Sequence, residues 1–464
     1  MIGKIFVFII CVLFSVDNIF SQNTISLLAL DDDSDFSDSS SVEKYCAQTD
    51  KILPISGSRS SNIGDAQKKF VTRLILSDED LSVIPYYIFS YINLEYLDLS
   101  NNKLTSIPDE IKNLTKLKEI KLRNNLLSFF PQPLINHPSV EIVDLSHNKI
   151  NSVSGDYSKS YFLKKINLSF NQIANIDNIA KLPNVIELDL SRNRLNYLNL
   201  SFVSHNLIIL NCSDNRIVNI TEVNNLPKLQ QLFLNNNRIK IIPKELCNLT
   251  SLVELDLKSN YLEKLPDEFP KLTNLKKLDI SDNIISELPI GMKRMSRLRT
   301  LNIAYNKAQN LPQQILELTQ LRELNIAGNH ITKLNEKIYS MKNLVDIDLS
   351  YNEFKNFPNI FSMTNIKSLN LSNNFIRIIP ADIRKLSNLT ILDLSNNNIS
   401  EIPRELSLLS NCKVLILINN KITSLPNNLN QLTNLKVFRL RENQLNTTEK
   451  EKIKKLLPNV RISF

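Results

Sequence analysis

Leucines recur along this chain in a spaced pattern of apolar and polar positions. In segment 94–117, LEYLDLSNNKLTSIPDEIKNLTKL, Leu97 and Leu99 alternate with polar residues. This alternation is typical of a short strand with one buried face. Asn102 follows where the chain leaves the strand, and its side-chain amide can pair with backbone groups that a turn leaves without partners. The pattern therefore predicts a strand, a turn held by Asn102 and a return leg that begins near Pro108.

The same pattern occurs seventeen times, with a degenerate Glu79 in the first copy and asparagine in every later one. Successive copies lie 22 or 23 residues apart. One unit cannot bury its own apolar face, but stacked copies can, so the period predicts a solenoid. The motif asparagines are Asn102, Asn125, Asn148, Asn171, Asn193, Asn215, Asn237, Asn260, Asn283, Asn306, Asn329, Asn352, Asn374, Asn397, Asn420 and Asn443.

The spacing L-x-x-L-x-L-x-x-N-x-L, carried by Leu94 to Leu104, resembles the leucine-rich repeat (LRR) family. This resemblance implies an α/β repeat solenoid, a horseshoe with a parallel β-sheet on its concave face. Short helices, 3₁₀ turns or loops would form the convex face. The repeats with proline in the return leg are similar to those of Ras-binding leucine-rich scaffolds and bacterial LRR proteins. The 22-residue repeats at about 149–242 lack this proline and resemble internalin-type repeats, whose return leg is a brief 3₁₀ turn.

Both ends of the chain differ from the repeats. Near the start, Lys4 precedes the apolar run Ile5–Val16, which is too short to span a bilayer and is typical of a secretory signal. Near the other end, Thr447 and Glu449 favour the start of a helix. The predicted segments are a signal peptide at 1–21, an acidic disordered segment at 22–45, a leader and N-terminal cap at 46–70, the repeat domain at 71–446 and a helical C-terminal cap at 447–464.

Composition narrows the function classes. The formal net charge is +8, but the basic residues are spread along the chain and no recognition helix is evident, so a nucleic-acid partner is not expected. No stretch after the signal is long and apolar enough to predict a transmembrane segment. Four histidines fall in different repeats, and no cysteine or carboxylate completes a triad or a metal site. We therefore expect no enzymatic activity, no cofactor and no metal.

The candidate site is a protein-binding surface on the concave face. Side chains six, four and two positions before each motif asparagine should point out of the sheet there, and most are Asp or Asn followed by Ser. Exceptions to that polar pattern, together with aromatic residues just before the asparagine, are the candidates for an interface. The candidate residues are Glu119, Lys121, Arg123, Phe233, Tyr305, Tyr351, Val414, Ile416, Ile418, Arg439 and Arg441.

Two of these groups carry specific expectations. Tyr305 and Tyr351 are two repeats apart, roughly 10 Å at the spacing of strands, and could clasp a partner segment between them. The apolar stripe Val414, Ile416 and Ile418 is either an interface or a strip of core that the C-terminal cap covers.

The function favoured by these patterns is that of a secreted, non-enzymatic module that holds another protein on its concave face. In a bacterium the location would be the periplasm or the cell surface. Two alternatives remain at this stage. One is an intracellular scaffold of the Ras-pathway type, which the proline-containing repeats suggest and the signal peptide opposes. The other is a structural or adhesive surface protein without a single partner.

Overall fold

The computed structural model describes residues 54–56 and 68–464, apart from 158, 177–181, 200–203 and 222–225. The predicted signal peptide, the acidic segment and most of the predicted leader lie outside the described residues.

Each of the seventeen repeats contributes one three-residue strand to a parallel sheet of nineteen strands, and one further strand lies at each end. Neighbouring strands pair exactly one repeat apart, as Leu255 does with Leu278. The strands are β1 (Pro54–Ser56), β2 (Arg73–Ile75), β3 (Tyr96–Asp98), β4 (Glu119–Lys121), β5 (Ile142–Asp144), β6 (Lys165–Asn167), β7 (Glu187–Asp189), β8 (Tyr197–Asn199), β9 (Ile209–Asn211), β10 (Asn219–Thr221), β11 (Gln231–Phe233), β12 (Glu254–Asp256), β13 (Lys277–Asp279), β14 (Thr300–Asn302), β15 (Glu323–Asn325), β16 (Asp346–Asp348), β17 (Ser368–Asn370), β18 (Ile391–Asp393), β19 (Val414–Ile416), β20 (Val437–Arg439) and β21 (Arg461–Ser463). β8 and β10 form a separate pair.

The core lies on one side of this sheet. In repeat nine, Leu255 and Leu257 are fully buried, while Asp256 between them faces the other side of the sheet. The alternation that predicted the strands therefore also assigns their two faces. A single apolar cluster runs from Val71 to Leu457, so each repeat completes the core of its neighbours.

The motif asparagines tie consecutive repeats together. The Asn260 amide nitrogen donates to the carbonyl oxygens of Leu234 and Leu257, at 3.0 Å each. The Asn260 side-chain oxygen accepts the N–H of Ile239, in the preceding repeat, at 2.9 Å. These bonds satisfy backbone groups of the buried turns, which confirms the role expected for this asparagine.

A second asparagine ladder follows the opposite edge of the sheet, just before the strands. The Asn274 amide donates to the Thr250 carbonyl oxygen at 2.8 Å, again one repeat back. The sequence signal for this ladder is the Asn-Leu pair that recurs just before many of the strands, and the L-x-x-L-x-L-x-x-N-x-L motif does not include its asparagine. The amides that reach back in this way belong to Asn93, Asn184, Asn206, Asn274, Asn343, Asn365, Asn388, Asn411 and Asn434.

Proline starts most of the return legs, as the sequence indicated. Its fixed φ suits the first position before a helical turn, and the N–H that it lacks would be unpaired there anyway. A short α-helix, α1 (Gln132–Ile135), follows Pro131. The 3₁₀ helices are Tyr86–Ser90, Asp109–Asn113, Lys244–Asn248, Phe269–Lys271, Met292–Arg294, Gln313–Glu317, Glu336–Ser340, Ala381–Lys385, Arg404–Leu408 and Leu429–Gln431.

The repeats without proline differ from the internalin-type expectation. After Asn193 and Asn215, the described part of the return leg is a strand, and the two strands, β8 and β10, pair in parallel. Without proline, both legs keep the backbone N–H donors that a ladder needs. Strands at these positions were not expected, while the brief 3₁₀ turn stays a prediction. The rest of both legs, at 200–203 and 222–225, lies outside the described residues.

The last repeat is followed by helix α2 (Thr447–Leu456) and strand β21. The helix cap is Asn446, whose side-chain oxygen accepts the N–H of Glu449 at 2.8 Å, and not the predicted Thr447. The sequence therefore predicted a capped helix correctly, but the capping residue lies one position earlier than expected. β21 pairs with β20 and extends the sheet by one strand.

Candidate protein-binding face

The polar ladder along the middle of the concave face is largely structural. The Asp348 side chain accepts the N–H of Ser350, two residues on, at 2.9 Å. The same bond forms in the neighbouring repeats, and asparagine serves equally well, as in Asn325 with the N–H of Ala327. Such a side chain satisfies a backbone donor that leaves the strand. The Asp/Asn pattern therefore indicates repeat geometry and does not by itself mark a site.

Burial changes the chemistry of some of these carboxylates. Burial and, to a smaller extent, the adjacent charge of Asp279 raise the pKa of Asp256 to about 6. Burial also raises the pKa of Asp189 and of Asp393, while hydrogen bonds from serine oppose this shift. The middle of the face is thus a row of partly desolvated carboxylates, because each carboxylate loses water to the sheet and to its neighbours.

Repeats fifteen to seventeen break the polar pattern. Ile391, Val414 and Val437 are register partners on β18, β19 and β20, so their side chains form a continuous column. Ile416 and Ile418 extend this column across the face and are half-buried. We call these five residues the C-terminal patch. An apolar patch on an otherwise polar face is typical of an interaction site.

The C-terminal cap does not cover this patch. Helix α2 is bonded to the return leg of repeat sixteen, where the Glu449 carboxylate accepts the N–H of Leu425 and the Lys452 ammonium donates to the Leu425 carbonyl oxygen. Leu425 lies beyond the turn, on the core side of the sheet, and is itself buried. Ile391 on the concave face remains 41% exposed. The alternative in which the stripe becomes core under the cap therefore does not match the structure.

Basic side chains surround the C-terminal patch. Arg439 and Arg441 are exposed beside it, and Lys413 and Lys436 stand just before its strands. None of the four forms an ion pair with another described residue. Arg439 is close enough to lower the pKa of Asp393, but no described carboxylate is bonded to it. Arginine can bind a carboxylate through two parallel hydrogen bonds, so these exposed cations suit an acidic partner.

The cluster Glu119, Lys121 and Arg123, which we call the N-terminal cluster, is instead satisfied internally. The Lys121 ammonium lies 3.8 Å from the Glu119 carboxylate and 5.3 Å from the centre of the Tyr96 ring. An Arg123 guanidinium nitrogen donates to the Ser146 hydroxyl at 3.4 Å. Because these charges have partners within the sheet, the cluster offers less to an incoming protein than its sequence suggested.

The two tyrosines are closer than expected. The ring centres of Tyr305 and Tyr351 are 6.1 Å apart, with the planes tilted by 45°. The expected separation of roughly 10 Å was therefore wrong, because the rings lean towards each other across Gly328. They form one continuous aromatic surface, with Tyr305 50% and Tyr351 38% exposed.

Phe233 is half-buried in the middle of the face. It pairs in register with Asn211 on one side and with Asp256 on the other. It stands alone among polar neighbours, apart from both the tyrosine pair and the C-terminal patch. Ile391, which belongs to the patch, was missed as a candidate, whereas the sequence already placed Val437 beside the stripe. The signal for Ile391 was an apolar residue six positions before the asparagine in three consecutive repeats.

The described residues offer little to catalysis. Within that part of the chain, no three His, Cys, Asp or Glu side chains come together to hold a metal ion. Cys212, Cys247 and Cys412 are free and buried, and burial raises the pKa of all three thiols, to about 12 for the last two. Thiols in that state are poor nucleophiles. Every helix among the described residues is too short or too polar to cross a membrane.

Three family models match the chain. The one described as a leucine-rich repeat region matches residues 199–348, and the others, described as leucine rich repeats, match 71–127 and 364–407. A curated relative is leucine-rich repeat-containing protein 58 of Xenopus laevis, 38% identical over 63 residues. That stretch spans 14% of this chain and 18% of that protein.

Solved structures match over much greater lengths. An LRR protein of Leptospira interrogans is 31% identical, with a TM-score of 0.77, and the match covers 89% of this chain and all of that one. The plant peptide hormone receptor RGFR1, determined in complex with RGF2, is 25% identical with a TM-score of 0.67, over 86% of this chain and 68% of that one.

Proposed function

Because this chain belongs to the leucine-rich repeat family, we propose that it is a non-enzymatic binding protein that holds a partner protein on its concave face. The observation that carries this proposal is the C-terminal patch, which keeps apolar side chains half-exposed on a rigid sheet although the cap helix lies close by. Burying that patch against a partner would be favourable by about 25 cal/mol per Å² of apolar surface. RGFR1, which has a similar fold, was determined with RGF2 bound, and this supports a peptide or protein as the ligand.

The partner that suits the C-terminal patch is apolar at its centre and acidic at its margin. The patch supplies five apolar side chains, and Arg439 and Arg441 supply exposed guanidinium groups without ion pairs among the described residues. Interfaces of this type concentrate their binding energy in a few buried anchors, with charged groups at the rim. Complementary charge at the rim also speeds association and selects the partner.

A position-specific crosslinking experiment tests this proposal. A benzoylphenylalanine placed at Ile416 should capture one defined partner from the proteins that surround the source cells. The same photoreactive residue at Ile290, which is 86% exposed on a return leg, is the matched control and should not. The captured partner, once purified, should bind Ile416→Ser at least about tenfold more weakly and Ile290→Ser unchanged. Equal capture at both positions, or equal loss of affinity, would sink the proposal.

We also propose that the protein is exported to the extracellular space, or to the periplasm or surface of a bacterium. Lys4 and the apolar run Ile5–Val16 support this location. Mass spectrometry of the protein purified from its source should find a mature N-terminus at or near Gln22. An intact Met1 on protein recovered from inside the cell would contradict export and would favour the scaffold alternative.

A further inference from the structure

The position just before each motif asparagine has left-handed backbone geometry. Along the whole array φ there lies between 52° and 62°. This conformation costs an L-residue about 1–2 kcal/mol, and asparagine and glycine tolerate it best. Phe170, Tyr305 and Tyr351 nevertheless place large rings there. Strain that persists in a regular array points to a role for those rings.

Phe170 shows what such a ring does within this molecule. The Arg192 guanidinium, at the same position of the next repeat, lies 4.7 Å from the centre of the Phe170 ring. One more repeat along, the Asp214 carboxylate is 3.5 Å from the Arg192 Nε. A ring, a cation and a carboxylate therefore follow one another along the ladder. Tyr96 is similar, because the Arg73 guanidinium lies 3.7 Å from its ring centre.

The Tyr305–Tyr351 pair has the ring and the carboxylate but lacks the cation. The residue that corresponds to Arg192 is Gly328, and a Cβ atom there would lie 2.3 Å from the Tyr305 ring. Glycine thus leaves room for the ring and supplies no charge. Within the described part of the chain, no Lys or Arg lies over either tyrosine, and neither hydroxyl forms a hydrogen bond.

The surroundings of the pair are negative. Desolvation raises the pKa of Tyr305, and so do the nearby Tyr351, Asp348 and Asp282. Among the described residues, Asp348 and Asp282 accept hydrogen bonds from neutral donors alone. Asp348 accepts from the Asn370 amide at 3.1 Å and from Ser350, and Asp282 accepts from the Ser259 hydroxyl at 2.8 Å. A cation that stacks on the rings would therefore also meet a favourable field.

We propose that Tyr305 and Tyr351 bind an arginine side chain of the partner protein, with its guanidinium stacked on the rings and its charge balanced by Asp348 and Asp282. Arginine is the occupant because the cations nearest to ring centres among the described residues are arginines, at 3.7 Å on Tyr96 and 4.7 Å on Phe170, whereas lysines lie 4.9 to 5.8 Å from theirs. A planar guanidinium also stacks on aromatic faces better than an ammonium does. The inference rests on the proposed function, since it describes a second contact for a protein on the same face.

Fluorine NMR of protein labelled with 3-fluorotyrosine tests this contact directly. The probe is the capped peptide Ac-Gly-Arg-Gly-Arg-Gly-NH₂, and its matched control carries citrulline, which has the same shape without the charge. Tyr305→Phe and Tyr351→Phe assign the two resonances. Both should shift saturably with the arginine peptide and remain in place with the citrulline peptide.

Variants give the expected pattern. Tyr351→Ala should weaken binding of the arginine peptide about tenfold, and Asp348→Asn about threefold. Asparagine keeps the oxygen that accepts the Ser350 N–H, as Asn302 and Asn325 do for their own repeats. Phe170→Ala is the matched control and should leave the affinity unchanged, because Arg192 already occupies that ring. A thermal melt confirms that each variant is folded.

Equal shifts with citrulline, or an equal loss in Phe170→Ala, would overturn the inference. The two proposals fail separately. A missing peptide response with normal capture at Ile416 rejects only the arginine contact. A clear peptide response with no capture at Ile416 rejects only the proposed partner surface.

Discussion

Repeats three and sixteen both depart from the polar ladder, but they use their unusual residues differently. In the N-terminal cluster, Lys121 contacts Glu119 and the Tyr96 ring, so its charge is used inside the sheet. Beside the C-terminal patch, Arg439 and Arg441 have no ion-pair partner among the described residues. An unusual sequence at one position of a repeat can therefore serve either the fold or a partner. The two cases differ in whether neighbouring residues of the sheet supply an opposite charge or an aromatic ring that contacts the unusual side chain.

The largest effect should come from the two faces of a single strand at the C-terminal end. Leu417→Ala should lower the free energy of unfolding by about 2–5 kcal/mol, because its side chain is fully buried. Ile416→Ala, next to it on the open face, should cost less than about 1 kcal/mol. Urea denaturation followed by circular dichroism measures both. Leu122→Ala, the buried counterpart in repeat three, should match Leu417→Ala. An equally large cost for Ile416→Ala would make the patch part of the core.

The next largest effect is on partner affinity, which should depend on the arginines beside the C-terminal patch and not on the N-terminal cluster. Arg439→Ala should weaken the affinity for the partner captured at Ile416 by about 2 kcal/mol, or about thirtyfold, since Arg439 is the register partner of Ile416 and would lose water together with it when the partner binds. Its melting temperature should not change. Lys121→Ala should leave the affinity as it is. Titration calorimetry on both variants tests the contrast, and similar affinity losses at both ends would erase it.

The middle of the face has carboxylates that are neither paired like the N-terminal cluster nor exposed like the patch arginines. Asp256 has a folded-state pKa of about 6 against an ordinary value of 3.8. The folded state therefore holds this proton more tightly, and stability falls as the pH rises from about 4 to about 6. Asp256→Asn should remove that slope and stabilise the protein at pH 7 by about 1 kcal/mol, a figure reduced for screening by Lys277 and Lys258.

Melting temperatures measured across that pH window, with and without the substitution, check this expectation. Asn302→Asp is the converse variant, since it places a third carboxylate beside Asp279, to which Asn302 now donates a 2.8 Å hydrogen bond. It should steepen the slope. If melting temperature depended on pH in the same way in all three proteins, the carboxylates of the row would not interact electrostatically with one another.

The smallest expected effect is on stability and comes from the contact between Arg73 and the Tyr96 ring near the N-terminal end of the sheet. Arg73→Ala should lower stability by about 0.5–1 kcal/mol, because it removes a guanidinium 3.7 Å from the centre of the Tyr96 ring. Arg441→Ala, exposed at the other end, should change stability by less than about 0.5 kcal/mol. Thermal denaturation at two salt concentrations measures both variants. A larger loss in Arg441→Ala would mean that the C-terminal arginines also serve the fold.

The period of the sequence predicted most of the architecture. Strand positions, the buried leucines and the role of Asn260 all follow from a unit that must stack to bury its apolar face. The concave positions of Val414 and Ile416 follow from the same alternation. These features depend on contacts within a repeat and between consecutive repeats, so the pattern of one repeat predicts them for the whole array.

Features that depend on contacts between particular side chains could not be predicted in this way. The closeness of Tyr305 and Tyr351 depends on a missing side chain at Gly328, and the motif alone gives no direction for either ring. The side of the sheet on which α2 docks depends on bonds from Glu449 and Lys452 to Leu425, across two repeats. The strands β8 and β10 pair between two successive legs that lack proline, and the repeat motif alone does not specify that pairing.

The motif asparagines all reach backwards along the chain. The Asn102 oxygen accepts the N–H groups of Glu79 and Leu81, and its amide nitrogen donates to the Leu76 carbonyl oxygen, all in the preceding repeat. A ribosome delivers the repeats in order, so each turn waits, incomplete, for the asparagine of the repeat that emerges after it. The side-chain hydrogen bonds of each turn can therefore be completed only one repeat behind the growing end of the chain.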